Sequence, residues 1–372
     1  MRNWFYFLCS TVIIMITLAG CSGSNASTSA GGSKDVSAGF KEITSLDLEG
    51  PVTNMNFSLD DDGDTLLWGE NDGGIGDDLR RNVWVDGEVK SLDIESWDQF
   101  AFLTQTGKLI NAETNWDADV DKRHSILEYD PITDQTEKFT AQNDRDDILL
   151  PGHGTYIQDP KTYIHTETNP NHEDAGIYLW EIGSNEFTDL NFLNDIKSDV
   201  GEITSYPHYF LNKDVTTIYA TVLNAGIFSY DIEAGKTDKL LDTDEVMPQG
   251  NTTTMLTADE KYLIYVTNNS EDYNLIYHAL DLETKDSLEI GMGTKVFTLT
   301  NGNIAIIDEG EVKIFNFETE KLETIHKIEL EENQSIDNLT VSLDGSTIAY
   351  GYTTKGEGDQ EDTSHISILS NK

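Results

Sequence analysis

Basic residues, cysteines and long apolar runs are all scarce in this chain. It carries 24 lysines and arginines against 68 aspartates and glutamates, a net charge of -44 at pH 7. A surface of that sign repels nucleic acid and anionic headgroups, so neither is an expected partner of the folded domain. Cysteine occurs only at Cys9 and Cys21. The sequence beyond them has no disulfide to rely on, and its stability has to come from a buried core, which a domain of this length supplies. After residue 20 nothing approaches the ~18 consecutive apolar residues of a spanning helix. The chain also lacks a G-x-S-x-G elbow, H-E-x-x-H, paired C-x-x-C, G-x-G-x-x-G and a P-loop. The common signatures of serine hydrolases, zinc sites and nucleotide binding are thereby missing. Carboxylates are so abundant that no pair stands out as acid and base.

What is present begins at the N-terminus. Residues 1–20 hold one basic residue (Arg2), an apolar core and small residues before Cys21. That is the layout of an export signal. Leu18-Ala19-Gly20-Cys21 resembles the lipobox of bacterial lipoproteins. The resemblance implies cleavage before Cys21, acylation of that cysteine and a site of action on the extracytoplasmic face of the cell membrane. Residues 21–39 then read as a Ser/Gly-rich tether, with an r.m.s. reach of about 25 Å for a random coil. The membrane is reached through the lipid, because the acidic protein face is repelled by it. Two readings of the acid compete. One is solvation and the other is a cationic partner or divalent metal. Its spread along the whole chain favours solvation.

Residues 40–372 form a repeating pattern. An apolar strand, a turn and a second strand lead through a variable loop to an alternating third strand, which ends in Asp or a substitute. The third strands are NVWVD (82–86), SILEYD (125–130), IYLWE (177–181), GIFSYD (226–231), IYHALD (276–281), VKIFN (312–316) and HISILS (365–370). Their spacing suits four-stranded propeller blades. Period-two alternation marks half-buried strands. The turns SLDDDGDTLLW, LNKDVTTIYA, TADEKYLIYV and SLDGSTIAYG recur in one register. Only NFLNDIKSD (191–199) reads as a helical turn. SLDGSTIAY and IFSYDIEAGK resemble the strand-turn signatures of TolB-like and WD40-like propellers. Leu343 stands where that family usually has proline, and no blade carries a Trp-Asp pair. The last unit lacks a fourth strand, and FKEITSLDL (40–48) is left over at the other end. The expectation is an all-β, seven-bladed propeller whose ring is closed by the N-terminal strand pairing in the last blade.

On such a scaffold recognition belongs to the loops between second and third strands. Five are long: 69–81, 112–124, 167–176, 267–274 and 353–364. They are rich in acid, including Glu70, Asp77, Asp78, Glu113, Glu173, Asp174, Asp272, Glu361 and Asp362, with the aromatics Trp116 and Tyr273 among them. The fold alone hosts unrelated functions; the expectation is a monomeric binding or scaffolding module for a protein or cationic envelope component, with no cofactor required. Asp117, Asp119 and Asp121 alternate as calcium ligands do, with Glu128 in the twelfth position. Lys122 replaces the glycine such a loop needs, and Glu128 falls inside a strand. His153 and His208 each precede an inner strand in consecutive units and are candidates for a channel mouth, with His165 and His172 nearby. A lyase or hydrolase acting on carbohydrate or peptide there, and a calcium-dependent surface protein, are the alternatives to a binding module.

Overall fold

The computed structural model describes residues 39–50, 52, 57–71, 79–92, 102–115, 117–119, 122–140, 154–158, 161–166, 176–184, 187–203, 207–247, 256–268, 275–356 and 360–372. Cys21 and the segments around it lie outside these residues. Within them the chain forms seven four-stranded antiparallel sheets and one short helix.

A strand β1 (Lys41–Leu48) comes first in the chain but joins the last sheet. The first sheet is β2 (Ser58–Leu59), β3 (Thr65–Asn71), β4 (Leu79–Val85) and β5 (Glu88–Ser91). The second is β6 (Phe102–Leu103), β7 (Leu109–Thr114), β8 (His124–Asp130) and β9 (Gln135–Thr140). The third is β10 (Gly154–Gln158), β11 (Lys161–Thr166), β12 (Ile177–Glu181) and β13 (Phe187–Leu190). Helix α1 (Phe192–Val200) connects it to β14 (His208–Leu211), β15 (Thr217–Val222), β16 (Gly226–Asp231) and β17 (Lys236–Leu241). The fifth sheet is β18 (Val246–Met247), β19 (Tyr262–Asn268), β20 (Leu275–Asp281) and β21 (Ser287–Met292). The sixth is β22 (Lys295–Thr298), β23 (Ile304–Asp308), β24 (Glu311–Asn316) and β25 (Lys321–Lys327). The seventh is β26 (Gln334–Val341), β27 (Thr347–Thr354) and β28 (Thr363–Ser370), with β1 paired antiparallel to β28 from Lys41↔Ser370 to Leu48↔Ser364. The first six sheets are meanders in which strands adjacent in sequence pair, and the seventh adds β1 to the outer edge of the meander β26-β27-β28.

The pleat explains why the second and third strands read as near-continuous apolar runs. Successive side chains leave a strand on opposite faces, so a sheet covered on both sides needs apolar residues at both parities. In β3, Leu66 and Trp68 pack with Ala349, Ile366 and Ile368 of the seventh sheet, while Leu67 packs with Leu103, Leu109 and Tyr129 of the second. In β23, Ile304 and Ile306 face the fifth sheet, whereas Ala305 and Ile307 face the seventh. Ile110 and Ile126 meet Tyr178 and Trp180 across the second and third sheets. Phe210 and Ile227 meet Val246 and Leu263 across the fourth and fifth. Each of the Leu, Ile, Val and Phe side chains among them, removed from water, contributes about 2 kcal/mol.

Helix α1 fills the gap between the third and fourth sheets. Its Phe192, Leu193 and Ile196 join Ile177, Tyr209, Ile218 and Tyr230. Phe192 stacks on Tyr230 with ring centroids 5.2 Å apart. Gly201 (φ 82°) ends the helix, its N–H bonding to Lys197 O. Among the described residues no helix is long and apolar enough to cross a membrane.

Candidate functional site

One end carries the turns between first and second strands, and these are tied down twice over. Within a turn, a short polar side chain holds the backbone. Asp60 Oδ1 accepts from Thr65 N at 3.0 Å, Asn212 Oδ1 from Thr217 N at 2.9 Å and Ser342 Oγ from Thr347 N at 2.9 Å. Between turns, neighbouring sheets exchange bonds. Asp344 N donates to Asp61 O (2.8 Å), Asp61 N to Gln105 O (3.0 Å) and Thr300 N to Leu343 O (2.8 Å). Lys213 Nζ reaches Ala258 O at 2.7 Å. Asp61 is squeezed in this belt. Burial, with help from the charges of Asp60, Asp62 and Asp344, pushes its carboxyl up to about 6, and its Oδ1 has no hydrogen-bond partner.

The other end carries the loops between second and third strands and the links from sheet to sheet. Most of the rim residues singled out from the sequence sit in segments outside the described residues. These are Asp77, Asp78, Trp116, Glu173, Asp174, Asp272 and Tyr273, together with Asp121, His153 and His172. The loops expected at 69–81 and 353–364 are shorter than the sequence suggests, whereas the loop expected at 167–176 lies between β11 and β12 as read. β3 runs on to Asn71, β4 starts at Leu79, and β27 and β28 extend to Thr354 and back to Thr363. Glu70, read as a rim acid, is instead a buried structural carboxylate. Its Oε1 accepts from Trp68 Nε1 at 2.9 Å and Asn82 Nδ2 at 2.7 Å, and its Oε2 accepts from Glu49 N at 3.2 Å.

Asp117 and Asp119 are exposed. Asp119 pairs loosely with Lys122 at 4.0 Å, and Lys122 N bonds to Asp119 O at 2.8 Å. Glu128 is buried within β8 and held by Lys108 Nζ at 2.7 Å, so its carboxylate is committed away from the Asp117 loop. Among the described residues no group of three or more His, Cys, Asp or Glu side chains is placed to hold a metal ion.

Two basic residues lead first strands at this same end. His208 opens β14. Burial pushes its imidazole down to about 4, its Nδ1 has no hydrogen-bond partner, and Thr221 Oγ1 on the paired residue of β15 has none either. Lys295 opens β22. Its ammonium donates to Asn338 Oδ1 and, at 3.2 Å, to Leu339 O, both on β26 of the next sheet. Burial pulls that ammonium down to about 8. Sequence reasoning singled out His208 but not Lys295.

No family model matches the chain, and no curated protein matches it. Solved structures do. An oligogalacturonate lyase in complex with manganese aligns over 89% of this chain and 97% of its own at 10% identity, with a TM-score of 0.53. An oligogalacturonate lyase from Vibrio parahaemolyticus covers 88% and 97% at 9% identity, with a TM-score of 0.55. TolB from Acinetobacter baumannii covers 82% of this chain and 80% of its own at 12% identity, with a TM-score of 0.39. The chain folds as a β-propeller. At these identities the likeness extends to the fold alone.

In that fold the first strand of each sheet is innermost, and here first strands touch one another: β2 meets β6 and β26, and β10 meets β14. His208 and Lys295 each lead a first strand at the end where the rim loops emerge. A neutral imidazole there can accept a proton or a hydrogen bond. A lysine titrating near 8 can hold one positive charge at neutral pH.

Proposed function

We propose that the protein is a lipid-anchored, extracytoplasmic propeller of seven blades that works as a binding or scaffolding module through its loop-rich face. The observation that carries this reading is the belt of bonded turns at one end of the sheets together with the packing from sheet to sheet. Apolar clusters lie between successive sheets, including one between the seventh and the first, and the pairing of β1 with β28 covers what would otherwise be an open edge. The turn belt stiffens one end, so the loops at the other are carried on a frame that does not have to be ordered on binding. In this reading Trp116, Tyr273, Asp77, Asp78, Glu173, Asp174 and Asp272 contact a protein or a cationic envelope component, and the propeller acts as a monomer. Cys21 carries the lipid, which holds the domain at the membrane.

Two experiments test it. Cys21→Ala moves the protein from the membrane fraction to the soluble fraction; retention on the membrane would remove the anchor. Pull-down from intact envelope recovers the same partner with wild-type protein and loses it when the acidic loop residues are replaced by Ser. Recovery unaffected by the loop replacements would move recognition elsewhere.

A second reading has its own support. Two of the fold neighbours are oligogalacturonate lyases, and His208 is a half-buried imidazole, kept neutral by desolvation, with an unpartnered nitrogen at the start of an inner strand. An envelope lyase or hydrolase with His208 and His153 at the channel mouth would use that nitrogen as base. Ultraviolet absorbance of an unsaturated product from oligogalacturonate, lost in His208→Phe, would favour it. A calcium-dependent role for Asp117, Asp119 and Asp121 predicts stabilisation by millimolar Ca²⁺ beyond that given by NaCl of equal ionic strength.

A further inference from the structure

Lys295 is an anomaly in a chain with nearly three acids for every base. Several other lysines are paired with carboxylates: Lys108 with Glu128 at 2.7 Å, Lys138 with Glu113 at 2.5 Å, Lys239 with Asp242 at 2.6 Å, Lys313 with Asp308 at 2.6 Å and Lys327 with Glu311 at 2.9 Å. Lys90, Lys213 and Lys285 reach backbone carbonyls, the last two from exposed positions. Lys295 meets only neutral oxygens among the described residues, the amide of Asn338 and the carbonyl of Leu339. Asn338 is itself buried, at a bulge of β26. An ammonium withdrawn from water without a counter-charge is costly, and an apolar residue would fill the same space more cheaply. Two of its three donors are taken, and part of the residue remains open to solvent. Lys295 is the first residue of its inner strand, at the end where the rim loops emerge.

We propose that Lys295, oriented by Asn338, is the anchor of a binding site for one carboxylate group of a small ligand entering the propeller from its loop-rich face. The ligand supplies the negative charge that the chain leaves out. One ammonium balances one negative charge; a dianion would remain repelled by the field of a protein at -44. A carboxylate is a monoanion throughout the neutral range whereas a phosphate is partly a dianion there, so the carboxylate fits better. The site rests on the propeller reading but not on the rim loops as contacts, so a failed envelope pull-down leaves it standing.

The test uses the full chain labelled with 13C at lysine Cε. Lys295→Gln assigns the Lys295 signal by its disappearance. Sodium acetate at pH 7 is titrated against sodium chloride of equal ionic strength, and then against sodium phosphate. The expected result is a saturable shift of the Lys295 signal with acetate, absent with chloride and weaker with phosphate, while other lysines follow ionic strength alone. In Asn338→Asp a carboxylate is built in beside the ammonium, and the acetate response falls at least tenfold. Should Lys295→Gln fail to fold, Asn338→Asp provides the assignment, because one lysine signal then moves far more than the rest. A Lys295 signal that ignores acetate, or follows acetate and chloride alike, overturns the site. A stronger response to phosphate overturns the choice of carboxylate. An undiminished acetate response in Asn338→Asp overturns the part given to Asn338.

Discussion

At Gly226 the chain enters β16 with φ 112°, and a Cβ there would lie 2.0 Å from Leu241 O. Both the left-handed backbone and the backbone oxygen forbid a side chain, since neither a carbonyl nor a paired strand can step aside. Gly226→Ala is expected to cost about 3 kcal/mol, read as a lower midpoint in urea with unchanged slope. Asp61 makes the opposite prediction. Burial raises its carboxyl from 3.8 to about 6, with Asp60, Asp62 and Asp344 adding to the effect and Lys213 opposing it. The folded state therefore holds a proton that the unfolded state releases. Stability is unaffected below the unfolded value, is lost as pH rises from 3.8 to about 6, and stays lower above that. Asp61→Asn removes the penalty. Its stability gain should be absent near pH 3.5 and, with solvent screening reducing it, reach on the order of 1 kcal/mol at pH 7. His208 has the mirror-image signature. With its imidazole lowered from 6.5 to about 4, stability is complete above 6.5 and drains as pH falls toward 4. Thermal melts of Asp61→Asn and His208→Phe across pH 3.5–8 separate the two, and a gain for Asp61→Asn that does not depend on pH would refute the assignment.

Among the elements, the third strand and the turn that follows it repeat most faithfully. Asp130 Oδ1 accepts from Ile132 N at 2.9 Å and Thr133 N at 3.1 Å, and Asp281 Oδ1 accepts from Glu283 N at 2.9 Å and Thr284 N at 3.0 Å. Asn316 does the same for Thr319 N at 2.9 Å. The N–H of Thr284 holds the Asp281 carboxyl below the usual range. These bonds are why the strands end in Asp: the side chain replaces the ladder where the backbone turns away. Asp130→Ala and Asp281→Ala should each cost about 1 kcal/mol, and the double variant about 2 kcal/mol, because the sites lie in separate sheets and share no partner. A double variant no worse than either single would mean the turns are not independent.

This local logic is what made the strands legible. Ile177–Glu181 and Gly226–Asp231 fall where alternation and the terminal carboxylate put them. The loop boundaries were less legible. Glu70 reads as a rim acid until the fold buries it against Trp68 and Asn82. The Lys295–Asn338 contact carries no sequence signal, because it joins residues 43 apart that meet only when two sheets pack.

For the whole molecule, charge decides. With 68 acids and 24 bases, most carboxylates have no cation to face whatever the geometry. Salt acts in two opposed directions. It weakens the attractive pairs, but several of these are exposed, such as Lys236–Asp238 at 2.8 Å, and are worth about 0–1 kcal/mol each. It also screens the repulsion among the unpaired carboxylates, which grows with their number and reaches beyond contact distance. The screening length falls from about 10 Å at 0.1 M to about 3 Å at 1 M, so the long-range repulsion is removed well before close pairs are. Relief of repulsion therefore outweighs the loss of pairing, and the melting temperature should climb by several degrees between about 0.02 and 0.5 M NaCl. The rise should flatten once the screening length is shorter than the spacing of surface carboxylates. CaCl₂ of equal ionic strength should follow the same curve unless Asp117, Asp119 and Asp121 gather a calcium ion, in which case it departs upward at millimolar concentration. A melting temperature that falls with NaCl would mean that the paired lysines, few as they are, outweigh the field of the whole surface. The solvating role assigned to the excess acid would then be wrong.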